Sequence, residues 1–183
     1  MERIAEKITQ WLRKNHYITR DQMDWCHYMV VQRIMNLVSF CILVSIGALV
    51  VGWGGSLAYV LTFRFLRRRT GGYHAKTPHG CLLLSIGLQF LITYLGTLIT
   101  DTVTSFSVLF LSCASIALHG PANHPALHLT HREVKALYPK IHLCLAITFL
   151  VYLFFCWRTL VFANCIAMAT FSVAVFLPIP CRC

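Results

Sequence analysis

Residues 34–51, IMNLVSFCILVSIGALVV, form an apolar run without a charged side chain. A helix that crosses the hydrocarbon of a bilayer needs about 20 such residues, with 17–25 the usual range. The run therefore reads as a first membrane span, and the rest of the chain is read outward from it. A GWGG turn at residues 52–55 follows, and residues 55–66 make a second, short span that carries Arg64. Residues 81–99 and 102–118 form a pair separated by Thr100 and Asp101, and residues 141–157 and 159–177 form another, hinged near Arg158. The expected fold is an all-α polytopic membrane protein with about six transmembrane helices. Four spans plus a re-entrant pair is the alternative.

Composition agrees. Of the 183 residues 57% are hydrophobic and 12% charged, where a soluble globular protein carries about 25% charged residues. The N-terminus is charged and lacks the apolar core and small-residue cleavage site of a signal peptide. Its first thirty-odd residues are expected to stay with the mature protein. Ile4, Ile8, Trp11 and Leu12 recur there at helical spacing, with Lys7, Arg13 and Lys14 elsewhere on the wheel. Such a basic amphipathic helix binds an anionic interface; docking on the protein's own cytoplasmic face is the other reading. One domain is expected over 1–183. Residues 1–33 would be cytoplasmic or interfacial, 34–177 membrane-spanning with a polar loop at 67–81, and 178–183 a cytoplasmic tail.

Charge orients the spans. Arg3, Lys7, Arg13, Lys14 and Arg20 precede span one, while Arg67, Arg68, Arg69 and Lys76 follow span two. Arg132, Lys135 and Lys140 follow span four, and Arg182 follows span six. With six crossings these segments share one face, which the positive-inside rule makes cytoplasmic. Arg158 alone disagrees. The expected location is the cell membrane, with both termini and the 67–81 loop on the cytoplasmic side.

Nine cysteines are present. Cys41, Cys113, Cys144, Cys156 and Cys165 lie in apolar runs, where a free cysteine behaves as a small hydrophobe; Cys181 and Cys183 end the chain. Only Cys81 has polar, backbone-bending neighbours, in RRRTGGYHAKTPHGC at residues 67–81. Gly71 and Gly72 permit positive φ. Pro78 and Gly80 break any helix just before span three and leave Cys81 near that helix's N-terminus. There the dipole and unpaired N–H groups favour a thiolate and could stabilise an oxyanion. A cysteine and a histidine at one membrane boundary are the pair that nucleophilic cysteine catalysis requires. In a continuous helix His74 and Cys81 would stand roughly 10 Å apart along the axis, whereas base and nucleophile need about 3 Å. The intervening AKTPHG must therefore fold back. His79 is the second candidate base, and packing with snorkelling is the bland alternative for both side chains.

The run Arg69-Thr-Gly71-Gly72-Tyr-His74-Ala75, then six residues between His74 and Cys81, resembles the signature of the accessory gene regulator B (AgrB) family. The likeness extends to chain length, basic N-terminus, span number and placement of the motif. The resemblance implies a polytopic membrane cysteine endopeptidase of Gram-positive quorum sensing, with His74 and Cys81 as the catalytic pair. It also implies an AgrD-like precursor peptide as substrate, with an amphipathic N-terminal helix, a central autoinducer segment and an acidic C-terminal tail. Arg69 is then the best candidate to meet that tail, with Arg67 and Arg68 beside it, since guanidinium groups pair carboxylates bidentately. Lipid anchoring is the alternative for Arg67 and Arg68. Membrane lipids are expected partners and a homodimer is an allowed one; nucleic acid, metal and cofactor are not expected.

Other readings follow from other residues. His119, His124, His128, His131 and His142 cluster between spans four and five, and His124 with His128 has i, i+4 spacing, which zinc sites use. A histidine-rich metal-handling protein is one alternative and a peptide exporter without chemistry another. Arg64 needs a partner or a path to the surface. Gln32 and Asn36 are the amides read at the depth of the motif, each as a helix–helix hydrogen bond. Gly47, Ala48, Gly87 and Gly96 are candidates for close helix contacts.

Overall fold

A computed structural model describes residues 2–71, 78–121 and 131–177; the side chains of residues 78, 79, 81, 82, 131 and 132 lie outside that description. Six α-helices and no strand are found among the described residues: α1 (Glu2–Lys14), α2 (Met23–Thr70), α3 (Pro78–Thr97), α4 (Thr102–His119), α5 (His131–Arg158) and α6 (Leu160–Phe176). The segments Arg20–Thr70, Thr102–His119 and Glu133–Arg158 are long and apolar enough to cross a membrane, and Leu83–Thr97 and Leu160–Phe176 are shorter apolar helices. The protein is an all-α membrane protein. The chain divides into two compact units, Met1–Ile42 and Leu43–Cys183.

In the first unit α1 keeps Ile4, Ile8 and Trp11 exposed along one stripe, while Ala5 and Thr9 are buried. The helix ends where His16 takes a positive φ of 60°, and the Trp11 ring stacks on Tyr17 at 5.9 Å.

The second unit begins inside α2, whose helical dihedrals fail at Gly52 (φ 73°, ψ 168°). That is a region essentially open to glycine alone. The break reverses the chain. Ser56 Oγ donates to the Val44 carbonyl at 2.8 Å across 12 residues, a separation that would span about 18 Å in a straight helix. The GWGG expectation thus narrows to one residue, because helix resumes immediately beyond it. Gly47 lies where the two arms and α3 meet: a β-carbon there would strike the Gln89 amide and the Ser56 hydroxyl. Gln89 Nε2 donates to the Leu43 carbonyl at 2.9 Å. Gly96 packs on Met168, whereas among the described residues nothing lies within 4 Å of where a β-carbon at Gly87 would stand.

The central element is α6, which packs against α3, α4 and α5. Its run of small residues explains that position: Ala163, Ala167, Ala169, Thr170, Ser172 and Ala174 are all buried, and small side chains let helix backbones approach closely in lipid. One cluster gathers Leu66, Ile116, Ile141, Cys144, Leu145, Val173 and Ala174. A second gathers Leu109, Tyr152, Ala163, Ile166 and Ala167. Buried hydroxyls can pair internally where water is absent: Tyr59 Oη and Ser172 Oγ lie 2.7 Å apart. Large apolar side chains face outward instead, Trp157 being 90% and Leu49 85% exposed. Cys41 is exposed and Cys26, Cys144 and Cys165 are buried, all as free thiols.

Helix α5 starts ten residues before the apolar run at 141 and passes through Pro139. The basic residues Lys135 and Lys140, read from sequence as loop, therefore lie on helix.

Candidate functional site

Three consecutive arginines close α2, and Gly71 ends it with φ 68°. The Gly71 N–H donates to the Arg67 carbonyl at 3.2 Å, an αL termination that glycine adopts without a Cβ penalty. Arg67 is half-buried and returns the contact, its Nη1 donating to the Gly71 carbonyl at 2.5 Å. Its guanidinium lies 5.9 Å from the centre of the Phe176 ring. Arg68 and Arg69 are exposed. Among the three arginines the one bound into the helix end is thus Arg67, while Arg69, the best candidate for an acidic tail, is exposed.

Across residues 72–77 the chain resumes at Pro78, the first residue of α3. Proline suits that position because its missing N–H would have no partner in the first turn. Cys81 is the fourth residue of α3, within the turn whose N–H groups have no intrahelical acceptor. Cys81 thus lies near the N-terminus of its helix, but Pro78 and Gly80, expected to break the helix before it, lie inside α3. Gly72, His74 and the approach of His74 to Cys81 lie outside the described residues, as does the His79 side chain.

Beneath this helix start a cavity of about 130 Å³ opens between α2, α3 and α6. Leu84 and Ser85, one turn beyond Cys81, line it together with Tyr59, Phe63, Arg67 and Phe176. It is mostly apolar, with one cation at its edge. Arg64 is half-buried and has an interaction partner.

The amides read from sequence are not the buried ones. Gln32 donates to the Tyr28 hydroxyl at 3.3 Å in an exposed setting. Gln89 and Asn164, buried in α3 and α6, were missed, although a single amide inside an otherwise apolar run was signal enough. In the histidine-rich region His119 Nδ1 lies 3.0 Å from the Ser115 carbonyl and His142 Nδ1 2.8 Å from the Tyr138 carbonyl. His124 and His128 lie outside the described residues, as does the His131 side chain; among the described residues no group of three or more metal-ligating side chains gathers.

Comparison with known families decides the kinship. The model of the family described as accessory gene regulator B matches residues 5–177. The chain belongs to the accessory gene regulator B family. Membership gives this AgrB protein a role in accessory gene regulator peptide processing, with an AgrD-like precursor as the associated substrate. The match extends far beyond the 69–81 motif and includes all six helices except the first residues of α1. No curated protein and no solved structure matches the chain.

Proposed function

We propose that this AgrB protein is a membrane cysteine endopeptidase that removes the C-terminal tail of a short precursor peptide and promotes its cyclisation. His74 takes the proton from Cys81, and the thiolate attacks the carbonyl at the tail junction. The C–N bond breaks, the amine leaves with the proton from His74, and the acyl group remains on Cys81 as a thioester. A thiol or hydroxyl of the precursor then gives its proton to His74 and attacks that carbonyl, the C–S bond to Cys81 breaks to regenerate the thiolate beside protonated His74, and a thiolactone or lactone ring departs. A thioester keeps the acyl group activated, so exchange to a thiolactone is near balance. Exclusion of water at the membrane boundary disfavours hydrolysis.

The family match over residues 5–177 carries this reading. Support comes also from Cys81 in the first turn of α3, where N–H groups favour an anion. The neighbouring cavity adds to it: 130 Å³ is close to the ~150 Å³ that accepts one benzene ring, and so suits one apolar side chain of the precursor. Arg67 at its rim, with Arg68 and Arg69 beyond, supplies charge for an acidic tail. Both termini and this loop are assigned to the cytoplasmic face from the charge distribution.

Co-expression with a tagged precursor, read by mass spectrometry, tests the proposal. Wild type should release the tail. Cys81→Ala should release none, and His74→Ala should slow release by about 10²–10⁴-fold, the usual contribution of a general base. Tail release by Cys81→Ala would sink the mechanism.

A further inference from the structure

Helix α1 carries separate stripes whose order around its axis points to a partner. At about 100° per residue, Ile4, Ile8 and Trp11 fall together, and all three are exposed. Ala5 and Thr9 lie about a third of a turn to one side of them and are 0% and 2% exposed. Arg3, Lys7 and Lys14 lie about a quarter turn to the other side, with Glu2 and Glu6 on the far side of the helix. These five charged side chains are exposed. Arg13, on the acidic side, donates to the Met23 sulfur at 3.5 Å.

The sequence leaves two partners open for this helix, a lipid interface and the protein's own face, and the structure gives each its own stripe. Docking on the protein uses Ala5 and Thr9, where small side chains fit and the Thr9 hydroxyl donates to the Ala5 carbonyl at 2.8 Å. The large apolar stripe stays open, and in water its exposure forgoes the gain of burying it. The charges beside it decide what covers it. An interfacial helix sinks its apolar face about 5–10 Å into the boundary of headgroups and acyl chains. With Ile4, Ile8 and Trp11 turned that way, Arg3, Lys7 and Lys14 reach headgroup phosphates. Glu2 and Glu6 then point to water, and Ala5 and Thr9 turn sideways to the protein. The Trp11 ring stacks on Tyr17, and Tyr17, Trp25 and Tyr28 are exposed as well. Amphipathic rings of this kind collect at headgroup level.

We infer that α1 lies on the bilayer surface and selects anionic phospholipid through Arg3, Lys7 and Lys14. A zwitterionic headgroup offers the same phosphate but cancels its charge, so the cation column distinguishes the two lipids.

The test uses full-length protein in nanodiscs of equal parts phosphatidylcholine and phosphatidylglycerol, with one lipid or the other brominated on its acyl chains to quench tryptophan fluorescence. The Trp11 signal is the difference between wild type and Trp11→Phe. Both brominated lipids should quench it, and phosphatidylglycerol should be preferred at least about fivefold, the effect of one cation beside an anionic surface. Arg3→Gln, Lys7→Gln and Lys14→Gln together should remove the preference with an unchanged unfolding temperature, because the three side chains are exposed. Glu2→Gln with Glu6→Gln, on the face turned from the membrane, should leave the preference in place. A Trp11 signal that neither lipid quenches, whether the ring stands in water or under a second copy of the chain, would overturn the inference. Equal quenching by the two lipids would do the same, as would a preference that survives the triple substitution.

Discussion

At the scale of single residues, glycines with the same sequence context do different work. Gly47 is needed because the Gln89 amide and the Ser56 hydroxyl occupy the space of its missing side chain. Gly47→Val should lower stability by about 1–3 kcal/mol, the usual cost of overpacking. Gly87, with nothing nearby, should accept alanine at no cost or with a gain of up to about 1 kcal/mol from helix propensity. Detergent unfolding of the two variants side by side reads the contrast. Asp101 caps α4 by accepting from the Thr104 N–H at 2.6 Å. That backbone hydrogen bond, more than any other contact, holds its carboxyl below the ordinary carboxylate range. A lowered folded-state value stabilises the fold above the unfolded carboxyl's titration and loses that contribution as pH falls through the folded one. Asp101→Asn keeps an acceptor oxygen at the cap but does not titrate, so unfolding measured against pH should lose this acid-side component.

At the scale of elements, the hairpin in α2 depends on one dihedral pair. A β-carbon at Gly52 would meet nothing within 4 Å, yet φ 73° with ψ 168° is a conformation that other residues adopt only at about 1–3 kcal/mol. Gly52→Ala should therefore destabilise the protein by that amount despite the open space, whereas Gly54→Ala would act through the Phe162 ring beside it. A loss of stability at Gly54 alone would show that steric contact, not backbone conformation, sets the turn. The length of α5 was not legible from hydropathy. Residues 131–140 carry His131, Arg132, Glu133, Lys135 and Lys140 and contain Pro139, but a helix seeded by the apolar run at 141 extends into them because propagation costs far less than nucleation.

For the whole molecule, the arrangement of charge predicts topology. A thiol introduced by Thr100→Cys in a background without native cysteines should react with a membrane-impermeant maleimide on intact cells. One introduced by Arg68→Cys should react only after permeabilisation. The reverse pattern would invert the assigned orientation and put the peptidase chemistry on the outer face.

Sequence alone determined the class of fold, the helix boundaries near 51, 99 and 158, the freedom of Gly71 to take a positive φ and the start of α3 close to Cys81, but it ended the second span at 66 where the helix runs on to Thr70. Each of these follows from local chemistry: the length an apolar run must have in lipid, the φ that only glycine takes freely, the N–H that proline lacks. The family, too, was legible in the spacing of Arg69, Gly71, Gly72, His74 and Cys81, and the match over residues 5–177 bears it out. Tertiary structure decided what hydropathy cannot rank. It made α6 the central helix, because close approach depends on which small side chains face a neighbour. It chose Gly47 and Gly96 over Gly87 as contact points, and buried Gln89 and Asn164 rather than Gln32. Those outcomes depend on which partner atom lies across the interface, and a one-dimensional pattern of apolar residues carries no record of that.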